Sequence, residues 1–299
     1  MNSTINFTNY SDLLNHVQFS HFGLISSETP ATISFLENRK FLNQLLNNHN
    51  ICGVITNHEL AEQIKGKKND LILIISNDPR QTFYLCHNER ALSQNKRFEK
   101  TNIHCSVKIH ETAFIHDLGV EIARNVVIEP NVTILSGVSI GEGSIIRSGS
   151  CIGTEGFEHK RVNGQILSVV HDGSVKIGEY VEIGANNTVA RGLMGRDTLI
   201  GSETKTDSLV HVAHCAQIGR RCLIPACAMI AGSAEIGDDA WIGPNSSVSS
   251  QVKVGNKGFI SIGSVVIKDV DAEQHVSGNF ALPHYHFLKI INKMKKLIK

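Results

Sequence analysis

At 299 residues, with 29 basic against 28 acidic side chains and 6% aromatic content, the chain lacks the cationic excess and stacking residues of a nucleic-acid binder. Its length leaves room for two domains. Seven cysteines without a single C-x-x-C pair fit reduced, packed thiols and a cytoplasmic location better than a disulfide or zinc framework.

From the N-terminus, Met1 to Asp12 is polar where a secretory signal needs a basic start and an apolar run. Leu71 to Ile75 is far too short to span a bilayer, so no transmembrane segment is expected. Ile51 to Thr56 and Leu71 to Ser76 read as short buried strands, whereas Phe35 to Asn48 and Pro79 to Ser93 carry helical spacing. Together they predict a small α/β domain over residues 1–101.

A different rhythm then takes over, predicting a second domain over residues 102–270. Every sixth residue is aliphatic at Ile122, Ile128, Ile134, Ile140, Ile146 and Ile152, and again at Ile177, Ile183, Val189 and Ile200. After one break at Thr206 the beat runs from Val212 to Val266. A period of six fits neither the 3.6-residue helix nor a flat strand, so the chain must turn a corner about every six residues. That is a β-solenoid built from hexapeptides. Gly follows the aliphatic residue at Gly141, Gly184, Gly201, Gly219 and Gly243, which reads as a tight corner. Small or β-branched residues such as Val126, Ser144, Cys222 and Ala234 recur four places after it, giving two inward positions per hexad. Each buried Ile or Val contributes roughly 1.5–3 kcal/mol, enough for a rod without a globular core.

Two segments interrupt the beat, Thr154 to Lys176 and Ala190 to Leu199, and loops leaving a rigid rod are where binding residues gather. Beyond Val270, a tail over residues 271–299 carries Phe287, Leu288, Ile291, Met294 and Ile298 as one helical stripe, with Lys293, Lys295, Lys296 and Lys299 beside it. Such a helix either caps the open rod or packs on a partner subunit.

Among fifteen histidines, geometry thins the candidates. His104, His110 and His116 look like a metal row, but consecutive hexads lie on three different faces, and only residues about 18 apart stack. His211 and His214 flank the inward Val212 with no carboxylate partner evident, so no metal site is expected there either. His214 has Gly232 one coil onward, 18 residues later, which places a base beside a backbone N–H as acyl transfer requires. The plain alternative is a histidine that only hydrogen-bonds at a corner. Asp207, one hexad before Ala213, is a candidate to orient the ring from a neighbouring face.

Lys205-Thr206-Asp207-Ser208, Val210-His211-Val212-Ala213-His214 and Ile230-Ala231-Gly232-Ser233 resemble the K-L-D-N, I-A-H-N and A-G-S stretches of bacterial UDP-3-O-acylglucosamine N-acyltransferases. Gly153-Thr154-Glu155-Gly156-Phe157, Glu182-Ile183-Gly184-Ala185-Asn186, Ile33 to Phe41 and the closing Ser277-Gly278 are similar to further signatures of that family. The resemblance implies a mainly β protein, a left-handed parallel β-helix with a small N-terminal α/β domain and a C-terminal helix. It further implies a homotrimer with sites between neighbouring rods and no tightly bound cofactor. It makes His214 the general base and Gly232 the oxyanion donor, with Phe35 and Phe41 sandwiching a pyrimidine base and Asn38 hydrogen-bonding it. Ordinary core packing is the other reading of the two rings.

The departures sit around the base. The family's Asn after it is Cys215, its second histidine is Gln251, and its I-D-R-G reads Val189-Ala190-Arg191-Gly192. The tail after Pro283 is shorter than the family's helical extension. With Gly156, Phe157 and Asn186, Cys215 and Gln251 are the weaker candidates for the substrate or donor cleft. The combined expectation is N-acylation of a dTDP- or UDP-linked amino sugar for cell-envelope glycan, with acyl-CoA favoured as co-substrate. Lipid A assembly from an acyl carrier protein is the alternative, and a non-catalytic nucleotide-sugar scaffold is the reading from another class.

Overall fold

The computed structural model describes residues 4–6, 17–93, 98–278 and 280–297. Ile298 and Lys299 of the tail, and most of the polar start Met1 to Asp12, lie outside the described residues. The first unit is a five-stranded, all-parallel sheet of β1 (Thr4–Asn6), β2 (His21–Phe22), β3 (Thr32–Leu36), β4 (Ile51–Thr56) and β5 (Ile72–Ile75), ordered β1-β5-β4-β3-β2. Helices α1 (Leu42–Asn47), α2 (His58–Ile64) and α3 (Pro79–Ser93) connect and cover it. The Pro79–Ser93 helix begins where the sequence places it. Asp78 Oδ1 accepts the Gln81 N–H at 2.9 Å, and proline occupies the first helical position, where its missing N–H has no partner to lose. The spacing from Phe35 misleads at its start. Thr32–Leu36 is a strand inside the parallel sheet, and helical structure begins only at the 3-10 turn Arg39–Phe41. The pull of two flanking β-strands overrides a local helical pattern there.

From Asn102 the chain winds into a left-handed parallel β-helix. Three sheets of nine, eight and eight short strands form the walls, and parallel partners lie 18 residues apart: Val127 with Ile145, Thr133 with Cys151, His211 with Met229. Both residues of the inward pair are buried along the rod, the sixth-residue aliphatics and the smaller Val126, Ser144, Cys222 and Ala234 alike. Thr206, the break in the beat, is also buried. Its hydroxyl accepts the Gly184 N–H at 3.0 Å and the Asn187 amide at 2.6 Å, so this polar rung is satisfied internally.

The corner glycines have a different cause from the one the pattern suggests. Positive φ occurs three places past the inward aliphatic residue, at non-glycine positions such as Asn131 (57°), Leu209 (62°) and Asp239 (60°). The glycine one place past it keeps ordinary φ at Gly141, Gly184, Gly201 and Gly219. What those glycines provide is proximity, since a Cβ on Gly201 would lie 2.5 Å from the Gly219 backbone and one on Gly184 would lie 2.3 Å from Asp207. The coils touch backbone to backbone, and only a missing side chain permits it.

Both insertions leave the rod at one corner. Cys151–Thr154 and Thr188–Ala190 belong to one wall, Val175–Ile177 and Thr198–Ile200 to the next, and the extra residues sit between them in successive coils. The longer insertion folds into an antiparallel hairpin, His159–Val162 with Gln165–Ser168. Helix α3 holds it: Asn88 donates to Ser168 O and accepts from the Val170 N–H, both at 2.8 Å, and His87 Nε2 meets Val170 O at 2.9 Å. Helix α4 (His284–Leu297) has no buried residue, so it does not cap the rod within the protomer. No helix among the described residues is long and apolar enough to cross a membrane.

Candidate active site

The corner that carries both insertions in two coils carries His214 in the next and Gly232 in the one after, because His211–Val212 and Gln217–Ile218 flank the first and Met229–Ile230 and Glu235–Ile236 the second. The imidazole lies against Gly232: a Cβ there would sit 2.6 Å from Cε1 and 2.7 Å from Nε2. On the other side, a Cβ on Gly156 would come within 2.9 Å of His214 Cδ2. Two glycines therefore form the walls of a slot that fits one ring.

Gly232 also contributes its N–H. The amide two places past each inward aliphatic residue falls outside the interstrand ladder. At Ser148, Arg220 and Asp238 a side-chain oxygen accepts it at 2.8–3.1 Å. At Gly232 no protein acceptor takes it among the described residues, while its carbonyl accepts the Gln251 N–H at 3.1 Å. That bond puts Gln251 on the same corner.

The insertion hairpin brings two groups to the ring that the spacing argument did not name. Glu158 Oε2 lies 3.7 Å from His214 Nε2, an ion-pair distance, and its other oxygen meets Lys160 Nζ at 2.5 Å. His171, 3% exposed, packs edge-on against His214 with ring centroids 5.6 Å apart, and neither of its nitrogens makes a hydrogen bond of good geometry. Burial holds the pKa of His214 below the usual histidine value; Glu158 opposes this, and Lys160 and His211 reinforce it. His171 is lowered for the same first reason and further by His214 itself. The imidazole is thus biased toward its neutral form beside a carboxylate that favours its charged form. The available signal for both residues was the insertion beginning at Thr154, whose exit corner follows from counting 18-residue coils.

Other candidates separate. Asp207 is exposed on a different corner and its Oδ1 accepts the Ser208 N–H at 2.6 Å; the carboxylate beside His214 is Glu158. Asn186 occupies that same other corner, exposed at φ 54°. Cys215, only 3% exposed, is packed with Leu193, Met194 and Phe22 under the loops, and burial pushes its thiol up to about 11. It therefore faces core rather than a cleft. Phe157 is 85% exposed, edge-on to His159. Phe35 packs against Phe83 at 4.8 Å, Phe41 is exposed with Lys40 Nζ 5.4 Å from its ring centre, and Asn38 Oδ1 caps the 3-10 turn through the Lys40 N–H. His104, His110 and His116 each accept the N–H two residues on through Nδ1, at 3.1–3.2 Å, as corner caps. Arg191 is half-buried and donates to Gly153 O at 2.8 Å and Ser136 O at 2.6 Å at the foot of the longer insertion.

Residues 119–154 match the bacterial transferase hexapeptide (six repeats) model. The UDP-3-O-acylglucosamine N-acyltransferase of Campylobacter curvus is 34% identical over 149 residues, 49% of this chain and 47% of that protein. That of a Methylobacterium species is 36% identical over 146 residues, 49% and 41% respectively, and a probable mitochondrial one of Arabidopsis thaliana is 34% identical over 142 residues, 47% and 46%. The chain thus spans less than half the length of these curated relatives. Among solved structures, LpxA from Acinetobacter baumannii aligns with a TM-score of 0.48 at 26% identity, over 57% of this chain and 71% of that one. Hexapeptide repeats thus match over residues 119–154, and about half of the chain is similar in sequence to UDP-3-O-acylglucosamine N-acyltransferases.

Proposed function

We propose that this protein is an N-acyltransferase that moves an acyl group from a thioester to the amine of a UDP-linked glucosamine derivative. The observation that carries the reading is the His214 ring seated on Gly232 with the Gly232 N–H left outside the ladder. The neutral amine attacks the thioester carbonyl while His214, kept neutral by burial, takes its proton. The Gly232 N–H donates to the oxyanion, and Glu158 stabilises the imidazolium. Collapse breaks the C–S bond, and the departing thiolate receives the proton.

The curated relatives support a UDP-linked acylglucosamine, the acceptor of the lipid A alternative, over the other dTDP- or UDP-linked amino sugars that the departures around His214 favoured. The buried position of Cys215 points the same way, because a substitution that faces core does not reshape a sugar pocket. On this reading the α/β unit of residues 1–101 holds the uracil between Phe35 and Phe41, the rod of residues 102–270 carries the chemistry, and neighbouring rods of a homotrimer close the cleft. Base stacking of this kind contributes roughly 1–3 kcal/mol.

Replacing His214 by Ala is expected to lower kcat by about 10²–10⁴ with UDP affinity little changed. Activity within about fivefold of the parent would exclude His214 as the base. Supplying hydroxyacyl carrier protein and short acyl-CoA side by side identifies the donor, and thiol release that requires both substrates excludes a non-catalytic scaffold.

A further inference from the structure

Glu158 divides its two oxygens between His214 and Lys160, and Lys160 reaches away from the corner to helix α3. Its ammonium stands 5.4 Å from the centre of the Tyr84 ring. We infer that Lys160 and Tyr84 are positioning residues for the base: the ammonium, steadied over Tyr84, fixes the Glu158 carboxylate beside His214 and so ties the α/β unit to the reacting corner. The inference rests on the reading of His214 as general base.

The contacts are not those of a loose surface pair, which contributes little. The Glu158 and Lys160 side chains are only 19% and 28% exposed, and Tyr84 is buried against Phe83 and Phe35. The hairpin beneath them is pinned to α3 by the Asn88 and His87 bonds and by Asn163 donating to Gln81 at 2.8 Å. Burial alone would lower the pKa of Lys160, but Glu158 and Tyr84 outweigh it and the net direction is upward, so the ammonium stays charged. The charges of the pair act on His214 in opposite senses, with His171 and His211 the other titratable groups facing the ring.

Opposite signs make the test. In the full-length chain with isotope-labelled histidine, the His214 titration is followed by NMR, its resonances assigned by their loss in His214→Gln. Lys160→Met should raise the His214 pKa by about half a pH unit or more, because the cation that opposes protonation of the ring is gone and the carboxylate is no longer shared with it. Glu158→Gln should lower it, and Lys160→Arg should restore the parent value. Tyr84→Leu should move it in the Lys160→Met direction. The acid limb of the kcat/KM profile should move with each titration. No displacement in Lys160→Met, or displacements of one sign in Lys160→Met and Glu158→Gln, would overturn the inference while leaving acyl transfer untouched. Opposite displacements without acyl transfer from any donor would uphold the positioning and count against the transferase reading alone.

Discussion

The ring of His214 and the α-carbon of Gly232 are in contact across one coil, so that the space a Cβ would fill at Gly232 is already taken by Cε1 and Nε2. The backbone there has ordinary φ, so an alanine is conformationally acceptable and its whole cost falls on the imidazole. Gly232→Ala is expected to leave the thermal midpoint within a few degrees and to cut kcat by about 10²–10³, since the ring is pushed aside and the N–H is shielded. Circular dichroism melting and steady-state kinetics on one preparation separate the two effects. A variant that keeps full activity would show that neither the ring position nor the exposed N–H matters.

How far the sequence reaches is clear from this same corner. The pairing of His214 with Gly232 follows from counting 18 residues, because a regular solenoid makes stacking an arithmetic property. Glu158 and His171 do not follow. They arrive on an insertion whose hairpin has its own register, and the distance back to the ring depends on how α3 grips that hairpin. Cys215 shows the converse, since its place one residue after His214 gave no sign that the chain turns at φ 60° and buries the thiol beneath Leu193. In the α/β unit, the strands Ile51–Thr56 and Ile72–Ile75 were legible from runs of apolar residues and the Pro79 helix from its helical spacing. Thr32–Leu36 was not, because parallel neighbours on both sides set its conformation.

The two kinds of corner residue should respond oppositely to substitution. Gly201→Ala drives a Cβ to 2.5 Å from the Gly219 backbone, which has no flexible end to yield, and is expected to destabilise by about 2 kcal/mol or more. Leu209, 58% exposed, holds φ 62° at a cost ordinary side chains feel and asparagine largely escapes. Leu209→Asn is therefore expected to stabilise by about 0.5–1 kcal/mol. Denaturant midpoints measured for both variants check the pair. If Gly201→Ala melted with the parent, the backbone contact between coils could not be the reason for glycine there.

Stability should itself depend on pH through the buried imidazoles. His21, His171, His211 and His214 all have folded pKa values below the ordinary histidine value, with burial the leading cause in each. A lowered folded value means the unfolded chain binds more protons, so stability rises with pH. The contribution is complete above the unfolded value of roughly 6.5 and is lost as pH falls from there through the lowered folded values. Melting temperatures should accordingly be level from about pH 8 to 7 and fall between about pH 6.5 and 5.5, above the range where carboxylates take up protons. His171→Gln removes one of the four titrations and should make that fall shallower, because a neutral amide in the same place has nothing to protonate. A parent melting temperature that stayed flat down to pH 5.5 would mean that these rings take up protons alike in the folded and unfolded chain, and that burial does not hold their pKa values down.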